Sequence, residues 1–230
     1  MINLKSEKEI LNMFDKIAPK YDFLNNAISF CTHILVKKAA IKALNIKGNI
    51  KGGAKILDLC AGSGDLGRII KDSVPDITVF GADYSVQMLD IAKKKNPDIE
   101  YFNTDATSLC FKDGMFDYVV MGFGLRNIPN KDKAVSEIYR VLKHGGKFLH
   151  LDFGQKTIFS KVFDKLVIFA AGLFTKEKDA YAYLINSKNS FPVPEELVKS
   201  FETKGFQCEK IYYLLFKIIS FQILKKPPRI

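Results

Sequence analysis

Three carboxylates and two glycines in the first half of the chain carry its clearest chemistry. The run Lys55-Ile-Leu-Asp58-Leu-Cys60-Ala-Gly62-Ser63-Gly64-Asp65 lies between a short apolar strand and a helix. Gly62 and Gly64 let a backbone turn tightly and approach a ligand, and the helix opening at Gly64 offers unpaired N–H groups. Asp58, at the strand end, can accept hydrogen bonds from loop amides or from an amino group. The Gly-Lys-Ser/Thr end of a phosphate-binding loop is missing. A dinucleotide is a poor fit as well: Cys60 stands where a first glycine belongs, and a pyrophosphate beside two carboxylates is electrostatically unfavourable. Asp83 comes 19 residues after Gly64, at the end of a second strand, where a carboxylate can take both ribose hydroxyls of a nucleoside. Asp105, in Asn103-Thr-Asp105-Ala106, follows a third strand. Its carboxylate can accept from an exocyclic amine while the Ala106 amide donates to a ring nitrogen. Each acid alone also reads as a cap or turn residue. Together, at the ends of three consecutive strands, they point to an adenosine carrying a cation.

The elements that must hold these groups follow from periodicity and breakers. Residues 6–46 read as helical with a break from Pro19 to Asn26, and a glycine-containing loop, Lys47–Gly53, ends this preamble. Strands are expected at 55–60, 77–82, 99–102, 116–121 and 147–153, and helices at 64–73, 85–95, 130–142, 157–174 and 194–204. His144–Gly146 reads as a turn. This alternation implies a mostly parallel sheet covered on both faces. Two last strands, near 206–213 and 216–224, leave no room for a crossover and are expected to form an antiparallel hairpin.

Composition narrows the function classes. At 230 residues with 47% hydrophobic content, the chain holds a real core and suits one domain with extra elements. Four cysteines without a C-x-x-C pattern and three histidines argue against a disulfide scaffold or a metal centre. The net charge of +10 is localised: Phe23–Leu57 has six lysines and no acid, and Lys210–Ile230 carries +5 with no acid. Apolar residues are interleaved there, including Phe23, Phe30, Leu35, Tyr212, Phe216 and Phe221. That combination suits an anionic membrane surface, with nucleic acid and a merely lysine-rich surface as the other readings. No stretch is long and apolar enough to span a bilayer and no signal peptide opens the chain, so it reads as cytoplasmic.

Several stretches together resemble the ubiquinone/menaquinone biosynthesis C-methyltransferase family. They are Phe14-Asp-Lys-Ile-Ala-Pro-Lys-Tyr21-Asp22 with Asn25, Leu57-Asp-Leu-Cys-Ala-Gly-Ser-Gly-Asp65, Phe123-Gly-Leu-Arg126-Asn127, Tyr139-Arg-Val-Leu-Lys-His-Gly-Gly146, Leu151-Asp-Phe153, and Ala180-Tyr181-Ala-Tyr183-Leu-Ile-Asn-Ser187 followed by Phe191-Pro192. The likeness spans roughly residues 10–210. Its most specific parts are the Phe-Gly-Leu-Arg-Asn and Tyr-x-Tyr-Leu motifs. It implies an α/β class I methyltransferase fold, Rossmann-like, with seven strands in the order 3-2-1-4-5-7-6. It divides the chain into a helical lid at 1–50 and a methyltransferase domain at 51–230, with a substrate-side helical insertion at about 155–192. It implies S-adenosyl-L-methionine as cofactor, a polyprenyl quinol as substrate and a homodimer; peripheral contact with an anionic membrane is expected from the basic, apolar flanks, and no nucleic acid partner is expected. Two stretches depart from the family: Cys31-Thr-His33-Ile34 stands where Gly-x-His-Arg is usual, and Leu214–Gln222 replaces a glycine-rich strand.

By this resemblance Tyr21 closes over the cofactor, Ser63 stands at a cofactor contact, Asp83 takes the ribose, and Asp105 with Ala106 meets the adenine. Asp58, Gly62, Gly64 and Gly122 complete the cofactor set. Arg126 is the first choice for stabilising a phenolate, or else forms a structural salt bridge. Asn127 holds a hydroxyl or its own loop. Tyr181 and Tyr183 line an aromatic pocket or a core. His33 transfers a proton or belongs to the lid. Asp152 lines the same edge or is structural. The greasy 157–174 helix, with Phe159, Val162, Phe163, Leu166, Phe169 and Phe174, caps a polyprenyl entrance or packs on the sheet. Demethylmenaquinol is the leading acceptor. The alternatives are a ubiquinone precursor, another phenolic or lipid-like molecule, RNA, and a non-catalytic S-adenosylmethionine-binding scaffold.

Overall fold

The computed structural model describes residues 7–29, 32–46, 53–174 and 178–229. The side chains of 7, 27–28, 169–174 and 178–181 lie outside that description, so the readings of Phe30, Cys31, Phe169, Phe174, Tyr181 and most of the 47–53 loop do too.

Short apolar runs bounded by glycine or proline become one sheet. β1 (Ala54–Leu59), β2 (Ile77–Asp83), β3 (Glu100–Asn103), β4 (Phe116–Gly122) and β5 (Leu142–Phe153) pair in parallel. β6 (Gln207–Leu214) and β7 (Ile219–Lys225) form the expected hairpin, with β7 antiparallel to β5. The spatial order is β3-β2-β1-β4-β5-β7-β6, as the resemblance implies. Helices cover both faces: α4 (Asp65–Ser73), α5 (Val86–Lys95), α6 (Lys131–Val141) and α9 (Pro194–Thr203). One core layer gathers Leu59, Phe80, Phe116, Phe148 and Phe201; the other gathers Ile56, Ile70, Val120, Leu149 and Phe221. Because the chain leaves β1 for β2 on one side and β4 lies on the other, the carboxyl ends of β1, β2 and β4 open a crevice.

Among the elements described in full, three helices precede the sheet and two more sit in the insertion. These are α1 (Glu7–Ile17), α2 (Tyr21–Ser29), α3 (Thr32–Leu44), α7 (Ile158–Phe174) and α8 (Lys178–Ser190). The expected break from Pro19 to Asn26 shrinks to a 3-10 turn, Ala18–Lys20. Pro19 lies in its first positions, where a missing N–H is harmless, and Tyr21 already opens α2. His144–Gly146, expected as the turn leading into a strand at 147, instead bulges inside β5, which already begins at Leu142. Leu142 pairs with Phe116 and Lys147 with Tyr118, while Gly145, at φ +80°, donates to the Lys226 carbonyl. β7 starts at Ile219 because Leu215, Phe216 and Lys217 all adopt positive φ (47°, 54° and 66°) and turn the chain left-handedly.

The basic tail is mostly interior. Phe221, Ile223 and Leu224 are buried, Tyr212 stacks on Phe221, and Lys226 donates to the carbonyls of Tyr139 and Leu142. Among the described tail residues, only the 215–217 turn presents large apolar side chains outward. His150 and Gln222 hydrogen-bond at 2.7 Å between β5 and β7, wholly buried, and His144 meets the Pro227 carbonyl through Nδ1. No helix among the described residues is long and apolar enough to cross a membrane.

Candidate active site

β1 leads into a loop of alternating left-handed residues, Cys60 (φ +57°), Gly62 (+55°) and Gly64 (+84°), before α4 begins. Two residues expected at the ligand sit behind this loop instead. Asp58 points towards α4 and is 1% exposed; its Oδ2 accepts the Gly67 N–H at 2.7 Å. It therefore anchors the first turn of α4 and lines neither cavity described below. Burial pushes its pKa up to about 7. Gly64 also lines no wall of the crevice. A Cβ there would lie 2.5 Å from the Tyr101 hydroxyl and 2.7 Å from Asn96 Nδ2, so the glycine allows α4 to pack. Gly62 does face the crevice, and its N–H donates to Asp83 Oδ2 at 2.8 Å.

The first cavity, about 850 Å³ counting the open space at its mouth, brings together Asp83, Asp105, Ala106, Gly62 and Gly122. Asp83 also accepts the Ser85 N–H at 3.0 Å. Burial raises its pKa, against the pull of the loop amides that donate to it. The Asp105 carboxylate accepts the Thr107 N–H and hydroxyl, both at 2.7 Å. Phe14, Met88 and Ile128 supply apolar wall, and Asp83 and Asp105 are the only charged residues lining this cavity among those described. α1 crosses it and is tied down where Ser85 Oγ donates to Asp15 at 2.6 Å.

A second cavity of about 1040 Å³ shares Tyr21, Cys60, Gly62, Gly122 and Phe123 with the first. The two are lobes of one cleft with Tyr21 at the neck. The second lobe gathers Ser63, His33, Lys37, Asp65 and Arg126 against an apolar wall that includes Phe153, Phe163 and Leu184. A smaller hollow of about 540 Å³, under α1 and α2, places Tyr183, Asn127 and Arg126 beside Tyr21. The expected groups whose side chains are described thus converge, apart from Asp58, Gly64 and Asp152, which line none of these hollows.

Their bonding sets what each can do. Arg126 Nη1 donates to Asp152 Oδ1 at 2.9 Å and to the Phe123 carbonyl at 2.7 Å, and its guanidinium lies 5.2 Å from the Phe153 ring centre. Its side chain is 7% exposed and that of Asp152 is fully buried, so the pair is neutral as a unit and fixed in place. Phe123 itself adopts φ +59°. That strained conformation aims its carbonyl at both Arg126 and the Asn127 amide. The Tyr183 hydroxyl donates to Asn127 Oδ1 at 3.2 Å, and burial raises the Tyr183 pKa. His33 Nε2 lies 2.8 Å from Asn26 Oδ1; since that oxygen can only accept, Nε2 carries the proton and Nδ1 the lone pair. Nδ1 is buried without a hydrogen-bond partner, 4.0 Å from Asp65 Oδ2. Burial, then the Lys37 charge, lowers the His33 pKa.

A chain of charges that the sequence reading did not assemble surrounds this histidine. Lys37 meets Asp65 at 2.8 Å, Lys95 meets Asp65 at 3.0 Å and Asp22 at 2.6 Å, and Ser63 Oγ donates to Asp22 at 2.6 Å. Burial alone would raise the Asp65 pKa, but Lys37 and Lys95 outweigh it and hold the carboxyl at about 2. Lys37, expected as a surface charge, is instead spent inside the cleft. Nothing in the local pattern links residues 22, 37, 65 and 95: Asp22 and Asp65 fall in two separate motifs, and Lys37 and Lys95 in none.

Comparison with known proteins matches residues 1–226 to the model of the ubiE/COQ5 methyltransferase family. The chain is 38% identical over 222 residues to a demethylmenaquinone methyltransferase of Staphylococcus saprophyticus, covering 92% of this chain and 94% of that one. A Staphylococcus aureus protein of the same name is 36% identical over 214 residues, covering 89% and 87%. Among solved structures, the fold resembles an S-adenosylmethionine-dependent methyltransferase of Thermotoga maritima (TM-score 0.70, 21% identity, 94% of this chain and 99% of that one). It also resembles a structure of the Haloferax volcanii Trm112 methyltransferase activator in complex with a methyltransferase (TM-score 0.71, 17% identity, 93% and 97%).

Proposed function

The chain belongs to the ubiE/COQ5 methyltransferase family, and from that premise we propose that it methylates a ring carbon of a demethylated polyprenyl quinol, with demethylmenaquinol as the acceptor. It is an S-adenosylmethionine-dependent methyltransferase. The observation that carries the acceptor reading is the two-lobed cleft. A lobe charged, among the described residues, only by two carboxylates meets, at the neck of Tyr21, Gly62 and Gly122, a lobe with an apolar wall and a neutral histidine.

The residues present fit the cofactor. Asp83 and Asp105, without any lysine or arginine on the same wall, suit an uncharged nucleoside attached to a cation and would repel a phosphate. The Lys37–Asp65 pair and Ser63 suit a zwitterionic amino-acid end. S-adenosylmethionine supplies a methyl group already activated on a sulfonium. The protein has to align the acceptor, take its proton and exclude water. His33 Nδ1 takes the phenolic proton as the ring carbon accepts the methyl, and Asp65, 4.0 Å away, stabilises the imidazolium that results. The hydrogen on the methylated carbon then leaves to solvent as a proton, the ring regains its aromaticity, and the imidazolium returns its proton to the ring oxygen. Asn127 and Tyr183 hold a ring oxygen, with Arg126 keeping their loop in place through Asp152 and Phe123. Helices α1–α3 act as a lid that brings Tyr21 and His33 over the cleft. The apolar wall of Phe153, Phe163 and Leu184 receives the start of the prenyl tail.

The names of the staphylococcal relatives support demethylmenaquinol over a ubiquinone precursor, which would use the same chemistry. Incubation with methyl-labelled cofactor and purified demethylmenaquinol, followed by mass analysis, is expected to show one labelled methyl on the ring. Label in another lipid or in RNA, with none in the quinol, would overturn this reading.

A further inference from the structure

The exposed apolar residues of this protein are not scattered. Of the eleven large hydrophobic side chains exposed among the described residues, five lie on α7 between Ile158 and Ile168 and two on the Leu215–Lys217 turn. Phe159 and Phe216 stack on one another with ring centres 4.8 Å apart, so the two segments form a single patch. Patches of this kind mark interaction surfaces, whereas single exposed hydrophobics do not.

α7 is apolar on opposite sides. Phe163 and Val167 face inward, onto the cleft and the core, while Phe159, Val162 and Leu166 follow at helical spacing on the outer side. A helix apolar on both sides has a second partner. The turn that completes the patch holds three bulky residues at positive φ, and this strained geometry leaves Phe216 73% exposed.

Charge identifies the partner. The exposed charges on residues 154–168 and 214–218 are all lysines: Lys156, Lys161, Lys165 and Lys217. Asp164, the one acid in these segments, is paired with Lys188. Glu195 lies close to the turn, but its carboxylate is engaged by Gln155 and the Tyr213 hydroxyl. A two-fold contact between copies of this face would set lysines against lysines. An anionic bilayer complements both its charge and its apolar area. The patch also adjoins the cleft: Phe163, one turn after Phe159, and Leu215, next to Phe216, both line the second lobe.

We propose that the outer face of α7 and the Leu215–Lys217 turn form a docking surface for an anionic lipid bilayer, seated at the mouth of the second lobe. A ligand with a long apolar tail then enters the cleft sideways from the membrane without crossing water. Of the two basic flanks that the sequence suggested, this surface keeps only the 215–217 turn of the tail and adds the outer face of α7, since Lys37 and Lys226 are bonded inside the protein. Bilayer binding itself does not depend on which acceptor is methylated.

Flotation of the full chain with vesicles tests it. The wild type is expected to float with vesicles of phosphatidylcholine containing about a third phosphatidylglycerol, less so as salt is raised, and not with phosphatidylcholine alone. The pair Phe159→Ser/Phe216→Ser and, separately, the pair Lys161→Glu/Lys165→Glu are each expected to lower the apparent vesicle affinity at least tenfold. Both should leave S-adenosylmethionine affinity unchanged, which shows that the fold is intact. Val86→Ser, an exposed apolar residue on α5, is expected to bind vesicles as the wild type does. Wild-type vesicle binding by either pair overturns the proposal, as does a dimer in sedimentation that Phe159→Ser/Phe216→Ser splits while vesicles stay unbound. Failure of the acceptor assignment reads differently: vesicles are bound but no quinol is methylated.

Discussion

At the scale of single residues, the site depends on which groups are free to act and which are already engaged. Arg126 looks from its type like the source of positive charge, yet Asp152 neutralises it and the Phe123 carbonyl holds it. Its work is to position a loop. His33 is the reverse case: one ring nitrogen is satisfied by Asn26 and the other is buried without a hydrogen-bond partner, beside Asp65. Burial and Lys37 lower its pKa, so the neutral, proton-accepting form persists to lower pH than in an ordinary histidine. The acid limb of the kcat profile is therefore expected below the usual imidazole range, with activity lost as pH falls through it. His33→Gln should remove that limb and lower kcat by about a hundredfold. An unchanged acid limb in His33→Gln would reject the assignment. The histidine was named from the sequence because of its type. Its surroundings are set by Asn26, Lys37 and Asp65, and Lys37 and Asp65 are 28 residues apart in the chain.

At the scale of elements, the N-terminal helices are held over the cleft by a few polar contacts. Asp15 reaches Ser85, and Asp22 reaches both Ser63 and Lys95. Lys95 ends α5 and joins α2 to α4, so it couples the lid to the glycine loop. Its side chain is 35% exposed, which limits the pair's worth to stability to about 1 kcal/mol or less. Lys95→Met is accordingly expected to change thermal stability little while speeding amide exchange across 21–29 and weakening cofactor affinity several-fold. Equal exchange rates in wild type and variant would show that the lid is held by packing alone. The helices themselves were legible in the sequence, but the extent of the break between them was not. Pro19 signals an interruption, and only the geometry of its 3-10 turn shows that α2 resumes at Tyr21.

At the scale of the whole molecule, the cleft forms where β1, β2 and β4 end together, so filling it should stabilise the sheet and the lid as one unit. Cofactor at a hundred times its Kd adds roughly 2.7 kcal/mol, which for a chain of this length raises Tm by roughly 5–10 °C. Asp83→Ala is expected to abolish most of that rise; a full shift in this variant would remove Asp83 from the binding site. Alternating apolar runs and breakers were enough to reveal the strands, their order through the family motifs, and the acids at the strand ends, because these are local patterns repeated along the chain. They could not reveal that Asp58 turns to Gly67 N–H, that Gly64 makes room for Tyr101, or that the basic tail is largely core. The side of a strand on which an acid lies, and whether a lysine meets water or an aspartate, depend on neighbours distant in sequence. Those neighbours exist only after the sheet has closed and the helices have packed against it.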